Sequence, residues 1–270
     1  MNKEKLVEIS KELRKNIIET ISKAGSGHPG GSLSIIDIIS YLYFEKMNVD
    51  VLNPKSEDRD RFVLSKGHAA PALYVTLAEK GFFDKEKLNH LREIGSILQG
   101  HPDAKKCPGV DICTGSLGQG FSNSCGIALG NKLNNSKAMT YVVLGDGELQ
   151  EGIVWEAMMS ASKYKLDNLV AIIDKNNIQL DGRVSEIMPE ENLANRITDF
   201  GWHVVECDGH DYDDINRAFN EIEQVKDKPK CIIANTIKGK GVSFMEDNVA
   251  WHGAAPNAEQ TEKAIDEIIG

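Results

Sequence analysis

An α/β fold, a three-layer architecture with a parallel sheet covered by helices on both faces, is predicted by three observations. Short, continuously apolar runs alternate with helical patterns through the second half of the chain. Strands buried on both faces read this way, because neither face meets water. The polar, glycine-rich motifs fall directly after those runs, where open parallel sheets bind their ligands. No low-complexity linker and no internal repeat divides the chain, so residues 1–270 are expected to form a single domain.

Taken in order, Leu6, Ile9, Leu13, Ile17 and Ile21 recur at helical spacing, and that helix stops at Gly25-Ser26-Gly27-His28-Pro29-Gly30-Gly31. A second helix is expected with Ser34 as N-cap and Ile35, Ile38, Ile39 and Leu42 on its inner face. Asn53-Pro54-Lys55 is a turn, and the apolar run 61–65 ahead of Lys66-Gly67-His68 is a buried strand ending in a loop. Further strands are expected over 141–144, 169–173, 203–207 and 231–236. Helices are expected over 152–163, 193–200, 213–225 and, at the end, 258–269.

The chain has 270 residues, 41% of them apolar, with 31 Lys+Arg against 41 Asp+Glu and a net charge of −10. That apolar fraction excludes disorder. The acidic balance argues against a partner such as nucleic acid or a membrane surface, which would need a basic face. No apolar run approaches the ~18–20 residues of a membrane span. Residues 1–15 are charged throughout and lack the apolar core of a signal peptide. The five cysteines are irregularly spaced without a CxxC, which suits reduced, mostly buried thiols and a cytoplasmic location.

Residues 25–30 match GxGxxG, but a helix rather than a strand precedes them, so a dinucleotide site is not supported. Lys238-Gly239-Lys240-Gly241 follows a strand without a clear helix after it; by itself it reads as a flexible loop rather than a phosphate cradle. Leu144-Gly145-Asp146-Gly147-Glu148 is the strongest local signal, paired with Ile173-Asp174-Lys175-Asn176-Asn177 after the next strand. Strands joined by one crossover helix usually lie side by side, so Asp146 and the Asn176 side-chain oxygen can address one ion. A carboxylate with amide and backbone oxygens is hard ligation, suited to Mg²⁺ or Ca²⁺ rather than zinc, and leaves positions for a diphosphate. Two ordinary strand-to-helix turns are the plainer alternative.

Four of the seven histidines, His28, His68, His101 and His252, sit beside glycine in helix-breaking stretches. Imidazoles there could donate to phosphate oxygens or shuttle protons near neutral pH. His90, His203 and His210 read as ordinary satisfied residues, and His210→Ala is expected to be nearly silent for turnover. A histidine-rich zinc site is the competitor, without a local ligand spacing to support it.

These residues resemble the amino-terminal, diphosphate-binding half of the transketolases, which are thiamine-diphosphate enzymes. The resembling segments are SGHPGGSLS (26–34), RFVLSKGHAAPALY (61–74), GHPD (100–103), GVDICTGSLGQGFSN (109–123), LGDGELQEG (144–152), LVAIIDKNNIQLDG (169–182), FGWHVVECDGHD (200–211), ANTIKGKGVSFME (234–246) and WHG (251–253). The resemblance implies the thiamine-diphosphate-binding fold and the cofactor thiamine diphosphate with Mg²⁺ (or Ca²⁺, Mn²⁺). Asp146, Asn176 and the main-chain carbonyl of Ile178 would hold the ion. His68, Gly115, Ser116, Leu117, Gly147, Glu151, Asn176 and His252 would line the cofactor. His28, His101 and His252 would contact the sugar, with His28 and His252 as proton handlers. Glu151 and Glu156 match carboxylates of a network linking active sites across a dimer, and Glu156 is counted among the catalytic candidates.

The implied reaction moves a two-carbon ketol unit from a ketose phosphate to an aldose phosphate. Ser116 stands where the family often has proline, Lys66 where asparagine is common, and Trp251 where a smaller residue is usual. No pyrimidine-binding or carboxyl-terminal domain is read in the chain. It therefore resembles the amino-terminal half of a split transketolase, expected to work as a dimer or heterotetramer and to need a carboxyl-terminal partner subunit. The alternatives are a non-catalytic module of the same fold, or half of another thiamine enzyme such as a 1-deoxyxylulose-5-phosphate synthase or a keto-acid dehydrogenase.

Overall fold

The computed structural model describes residues 1–180 and 182–270; Asp181, within one of the motif segments, lies outside the described residues. The chain opens with α1 (Lys3–Ala24), capped by the Asn2 side chain and ended by Gly25 at φ 59°, a left-handed turn that glycine adopts without a Cβ penalty. Helix α2 (Pro29–Tyr41) follows and is buried on every side. It begins five residues before Ser34, so the expected N-cap is instead an interior residue. The reason is Pro29, pre-organised for a first helical turn. At Gly30 a Cβ would sit 2.8 Å from the Trp251 carbonyl, so the bare backbone lets α2 pack tightly. After a π-helical turn (Leu42–Lys46) come β1 (Arg61–Leu64), α3 (Ala70–Lys80), α4 (Gln119–Leu133), β2 (Thr140–Gly145), α5 (Gly152–Lys163) and β3 (Leu169–Lys175). A small antiparallel hairpin of β4 (Ile178–Gln179) and β5 (Gly182–Arg183) leads to α6 (Val184–Ile187) and α7 (Leu193–Asp199). The chain finishes with β6 (His203–Asp208), α8 (Tyr212–Glu223), β7 (Lys230–Asn235) and α9 (Ala258–Ile269).

The five long strands form one parallel sheet in the order β1-β2-β3-β7-β6. Alternate strand residues feed two separate cores, as the two-residue strand period requires. Phe62, Val143, Ile172, Ile232 and Cys207 pack with α1, α2, α3, α8 and α9. Val63, Val142, Ile173 and Ile233 pack with α4, α5 and α7. The predicted three layers are present. The last strand inserts between β3 and β6 instead of extending the sheet, which leaves β6 on the edge with alternate residues exposed.

The β3 chain end leads to α7 on one face, and the β7 end leads to α9 on the other. Their departing loops part, and a crevice opens at this switch point.

Candidate active site

Three strand tips lie in register: Gly145 of β2 beside Asp174 of β3, and Asp174 beside Ala234 of β7. The residues just beyond them therefore meet, and the first to consider is Asp174. It is 0% exposed and accepts from Ser34 Oγ at 2.6 Å and Asn176 Nδ2 at 3.1 Å, and also from Thr236 Oγ1 and Lys66 Nζ. Lys66 is 1% exposed and donates as well to the Gly31 carbonyl at 2.9 Å. Burial alone would raise the Asp174 pKa; Lys66 and the hydroxyls of Ser34 and Thr236 outweigh it and hold the carboxyl below its ordinary value.

Asp146, one residue beyond β2, is 3% exposed. Its only hydrogen-bond donors among the described residues are two backbone amides, Gly147 N at 2.8 Å and Asn177 N at 2.5 Å. The second requires Asn177 at φ 61°, a conformation asparagine tolerates better than most residues. Burial, then the neighbouring Asp174 charge, push Asp146 up to about 6. The Asn176 side-chain oxygen accepts from Ile178 N at 3.1 Å. The Ile178 carbonyl accepts from Lys238 Nζ at 3.0 Å, and that ammonium lies 2.7 Å from His252 Nδ1. Lys238 is 3% exposed; burial and then Lys66 lower its pKa to about 8.

A buried carboxylate without a cationic partner, beside an amide oxygen and a carbonyl that already attracts an ammonium, is a donor set that fits a divalent cation. Gly147 leaves that position open: a Cβ there would lie 2.7 Å from Gln179. A cluster of three or more His, Cys, Asp or Glu suited to zinc is not formed among the described residues.

Facing these tips is a triangle of imidazoles. Ring centroids are 5.3 Å apart for His28 and His68, 5.4 Å for His28 and His252, and 5.3 Å for His68 and His252. They arrive from the start of α2, the 3₁₀ turn Gly67–Ala69 after β1, and the turn after Val249–Trp251. Burial is the leading cause that lowers all three pKa values, with nearby cations adding to it. His28 falls to about 4, His252 to about 3, and His68 well below its ordinary value. All three are neutral at pH 7. His28 Nδ1 is buried without a hydrogen-bond partner, an unmet polar atom facing a polar site.

The loop 115–118 is set by Glu148, a buried carboxylate that accepts from Gly118 N at 2.8 Å, from Gly145 N at 3.0 Å and from the Ser65 hydroxyl. The result is a cleft of about 550 Å³ lined by His28, His68, Gly115, Leu117, Asp146, Gly147, Glu151, Asn176, Ile178 and His252 among others. Three candidates lie outside that lining. His101 is exposed but packs on the loop, its Cγ 3.2 Å from where a Gly115 Cβ would stand. Ser116 is exposed on the same loop. Glu156 is exposed on α5 and lines a separate groove against α4; the fold turns its helix face away from the cleft.

The cleft also holds residues that sequence reasoning left without a role: Lys66, Glu148, Gln179 and above all Lys238. Lys238-Gly239-Lys240-Gly241 is not a free loop. Its position just after β7 is the same signal that marks Asp146 after β2 and Asn176 after β3.

The family described as "Transketolase, thiamine diphosphate binding domain" matches residues 5–269. One of the two component chains of an apulose-4-phosphate transketolase, from Phocaeicola vulgatus and named as a subunit, is 47% identical over 259 residues, 96% of this chain and 92% of the relative. A 6-deoxy-6-sulfo-D-fructose transketolase subunit of a Clostridium species is 45% identical over 256 residues, 95% of this chain and 93% of the relative. The solved transketolase of Campylobacter jejuni superposes with a TM-score of 0.93 at 37% identity, covering 99% of this chain and 43% of that one. The chain thus spans nearly the whole of the separate subunits and less than half of the long transketolase chain.

Proposed function

The chain belongs to the transketolase family, as its thiamine-diphosphate-binding domain, and from that premise we propose that it is the amino-terminal subunit of a two-chain transketolase. The whole chain works in this reading as one diphosphate-binding domain, and the assembled enzyme transfers a two-carbon ketol unit from a ketose phosphate to an aldose phosphate. The observation that carries the reading is a single cleft holding both an uncompensated buried carboxylate and a neutral imidazole cluster with an unmet ring nitrogen.

Asp146, the Asn176 side-chain oxygen and the Ile178 carbonyl would hold Mg²⁺, Ca²⁺ or Mn²⁺. A cation there competes with Lys238 for the Ile178 carbonyl, which frees the ammonium to meet an anion. His68, Gly115, Ser116, Leu117, Gly147, Glu151 and His252 would line the cofactor. Thiamine diphosphate, when bound, supplies a nucleophilic carbon and an electron sink. His28 Nδ1 has the unmet capacity to take a sugar hydroxyl, and His101 and His252 stand with it on the substrate side. The imidazoles are neutral and so ready to accept a proton; an adjacent diphosphate would raise their pKa values toward neutrality and favour its return.

Partner dependence rests on the relatives: the proteins similar along nearly their whole length are named as subunits. The partner would supply the pyrimidine-binding half. Their names also point to ketoses with a terminal anionic group, a 4-phosphate in one and a 6-sulfo group in the other. A second copy would dock on the groove of about 370 Å³ between α4 and α5, lined by Gly126, Leu129, Ile153 and Glu156. Gly126 and Gly130 face open space there, so another backbone can approach closely. The five unpaired thiols suit a reducing cytoplasm.

The test is mixing. The purified chain is expected to show no turnover of xylulose 5-phosphate with an aldose phosphate acceptor, and to gain it on addition of the carboxyl-terminal half. Turnover by the chain alone rejects the two-chain reading. Use of pyruvate in preference to the ketose phosphate moves the assignment to another thiamine enzyme.

A further inference from the structure

We infer that His210, outside the cleft, is a positioning residue for it: the imidazole clamps the main chain at Ile237 so that the next residue, Lys238, is held inside the site. This inference rests on the cofactor reading of the cleft given above.

His210 follows β6. Its Nε2 accepts from Ile237 N at 2.8 Å, and its Nδ1 lies 2.8 Å from Asp37 Oδ2. A backbone N–H can only donate and a carboxylate can only accept, so these partners assign the ring hydrogen to Nδ1. Asp37 lies in the middle of α2 and also receives both guanidinium ends of Arg14 from α1, one of them at 3.0 Å. Arg14 Nε in turn donates to the Lys240 carbonyl at 3.2 Å. One buried cluster therefore grips the loop on both sides of Lys238, at Ile237 through His210 and at Lys240 through Arg14.

The loop needs that grip. The Ile237 side chain is 36% exposed, so apolar packing does not anchor it. Lys238 is buried beside a second buried lysine, Lys66. Such an ammonium regains favourable hydration if its loop swings outward. The expectation that His210 is an ordinary satisfied residue is right about its hydrogen bonds and misses what one of them holds. Removal of His210 leaves Asp37 paired with Arg14, so the fold keeps its ion pair and the lost element is the clamp.

Hydrogen-exchange mass spectrometry of the full chain tests this without cofactor or partner. His210→Ala is expected to speed exchange across residues 236–241 by about tenfold, the worth of one hydrogen bond to a backbone amide, with β1 and β2 unchanged. His210→Gln can donate to Asp37 and accept from Ile237, and it is expected to restore protection. In the assembled two-chain enzyme, calorimetry with thiamine diphosphate and Mg²⁺ is expected to show binding about tenfold weaker for the alanine variant, on the same one-bond scale, and near wild type for glutamine. Unchanged exchange over 236–241, or a loosened loop with undiminished affinity, overturns the clamp. If the wild-type complex does not bind the cofactor, the reading of the cleft fails instead, and the exchange comparison alone decides whether His210 holds the loop.

Discussion

Asp174 and Asp146 end neighbouring strands, are equally hidden from water, and are treated in opposite ways. Asp174 receives an ammonium, two hydroxyls and an amide, and its carboxyl is held below the ordinary range. Asp146 receives two backbone amides and is pushed up to about 6. Burial costs a carboxylate the same hydration in both places, so the partners make the difference. Asp174 is finished by the protein itself and acts as a strut between β3, α2 and the β7 loop. Asp146 is left short of positive charge, as befits a group whose partner comes from outside.

Removing the strut is expected to have the largest effect. Asp174→Ala strands Lys66 as a buried, unpaired charge and should lower stability by about 3–5 kcal/mol, read as a falling urea midpoint. If the midpoint hardly moves, Asp174 is not the strut described. At the other tip, Asp146→Ala should leave the chain folded while weakening metal-dependent thiamine-diphosphate binding in the assembled enzyme by about a hundredfold or more. That exceeds the ~10–100-fold typical of groups one step outside a metal's coordination shell. Unchanged affinity would remove Asp146 from the ion site.

A smaller effect sharpens the contrast through pH. Asp146 has a folded pKa above its unfolded value, so its favourable contribution is complete below about 3.8 and is lost as pH rises through about 6. The stability gap between wild type and Asp146→Asn, in the absence of metal, should therefore shift toward the asparagine variant between pH 4 and pH 7, by about 2 kcal/mol. Thermal melts across that range measure it, and a gap independent of pH would mean that the carboxyl is not uncompensated. The comparison is made as a difference because His28 and His252, with lowered pKa values, act in the opposite direction. Their contribution is full above about 6.5 and is lost as pH falls.

Legibility in the sequence followed the same physical lines. The helix over 152–163 and the last helix over 258–269 fall where expected, because an amphipathic pattern states both ends. Helices α3 and α4 carry no such signal. Residues 70–78 of α3 are all buried, and α4 is rich in glycine and small residues, so neither shows a clear polar face. Asp146 and Asn176 were legible because the residues just past a parallel strand must meet at one edge. Lys238 obeys the same rule, yet its glycine-rich surroundings read as a loop; only the contacts with Ile178 and His252 show that it is held. Ser34 misled for a related reason: a serine before an apolar run suggests a cap, while this one spends its hydroxyl on Asp174.

The imidazole triangle has a consequence for biogenesis. Its corners come from positions 28, 68 and 252, so the pocket cannot exist until almost the entire polypeptide has left the ribosome and the parallel strands, slow to pair because their contacts are distant in sequence, have docked. A nascent or truncated molecule is thereby barred from capturing a costly vitamin derivative. Resistance to proteolysis gained on ligand addition should reach the first helix and the last together.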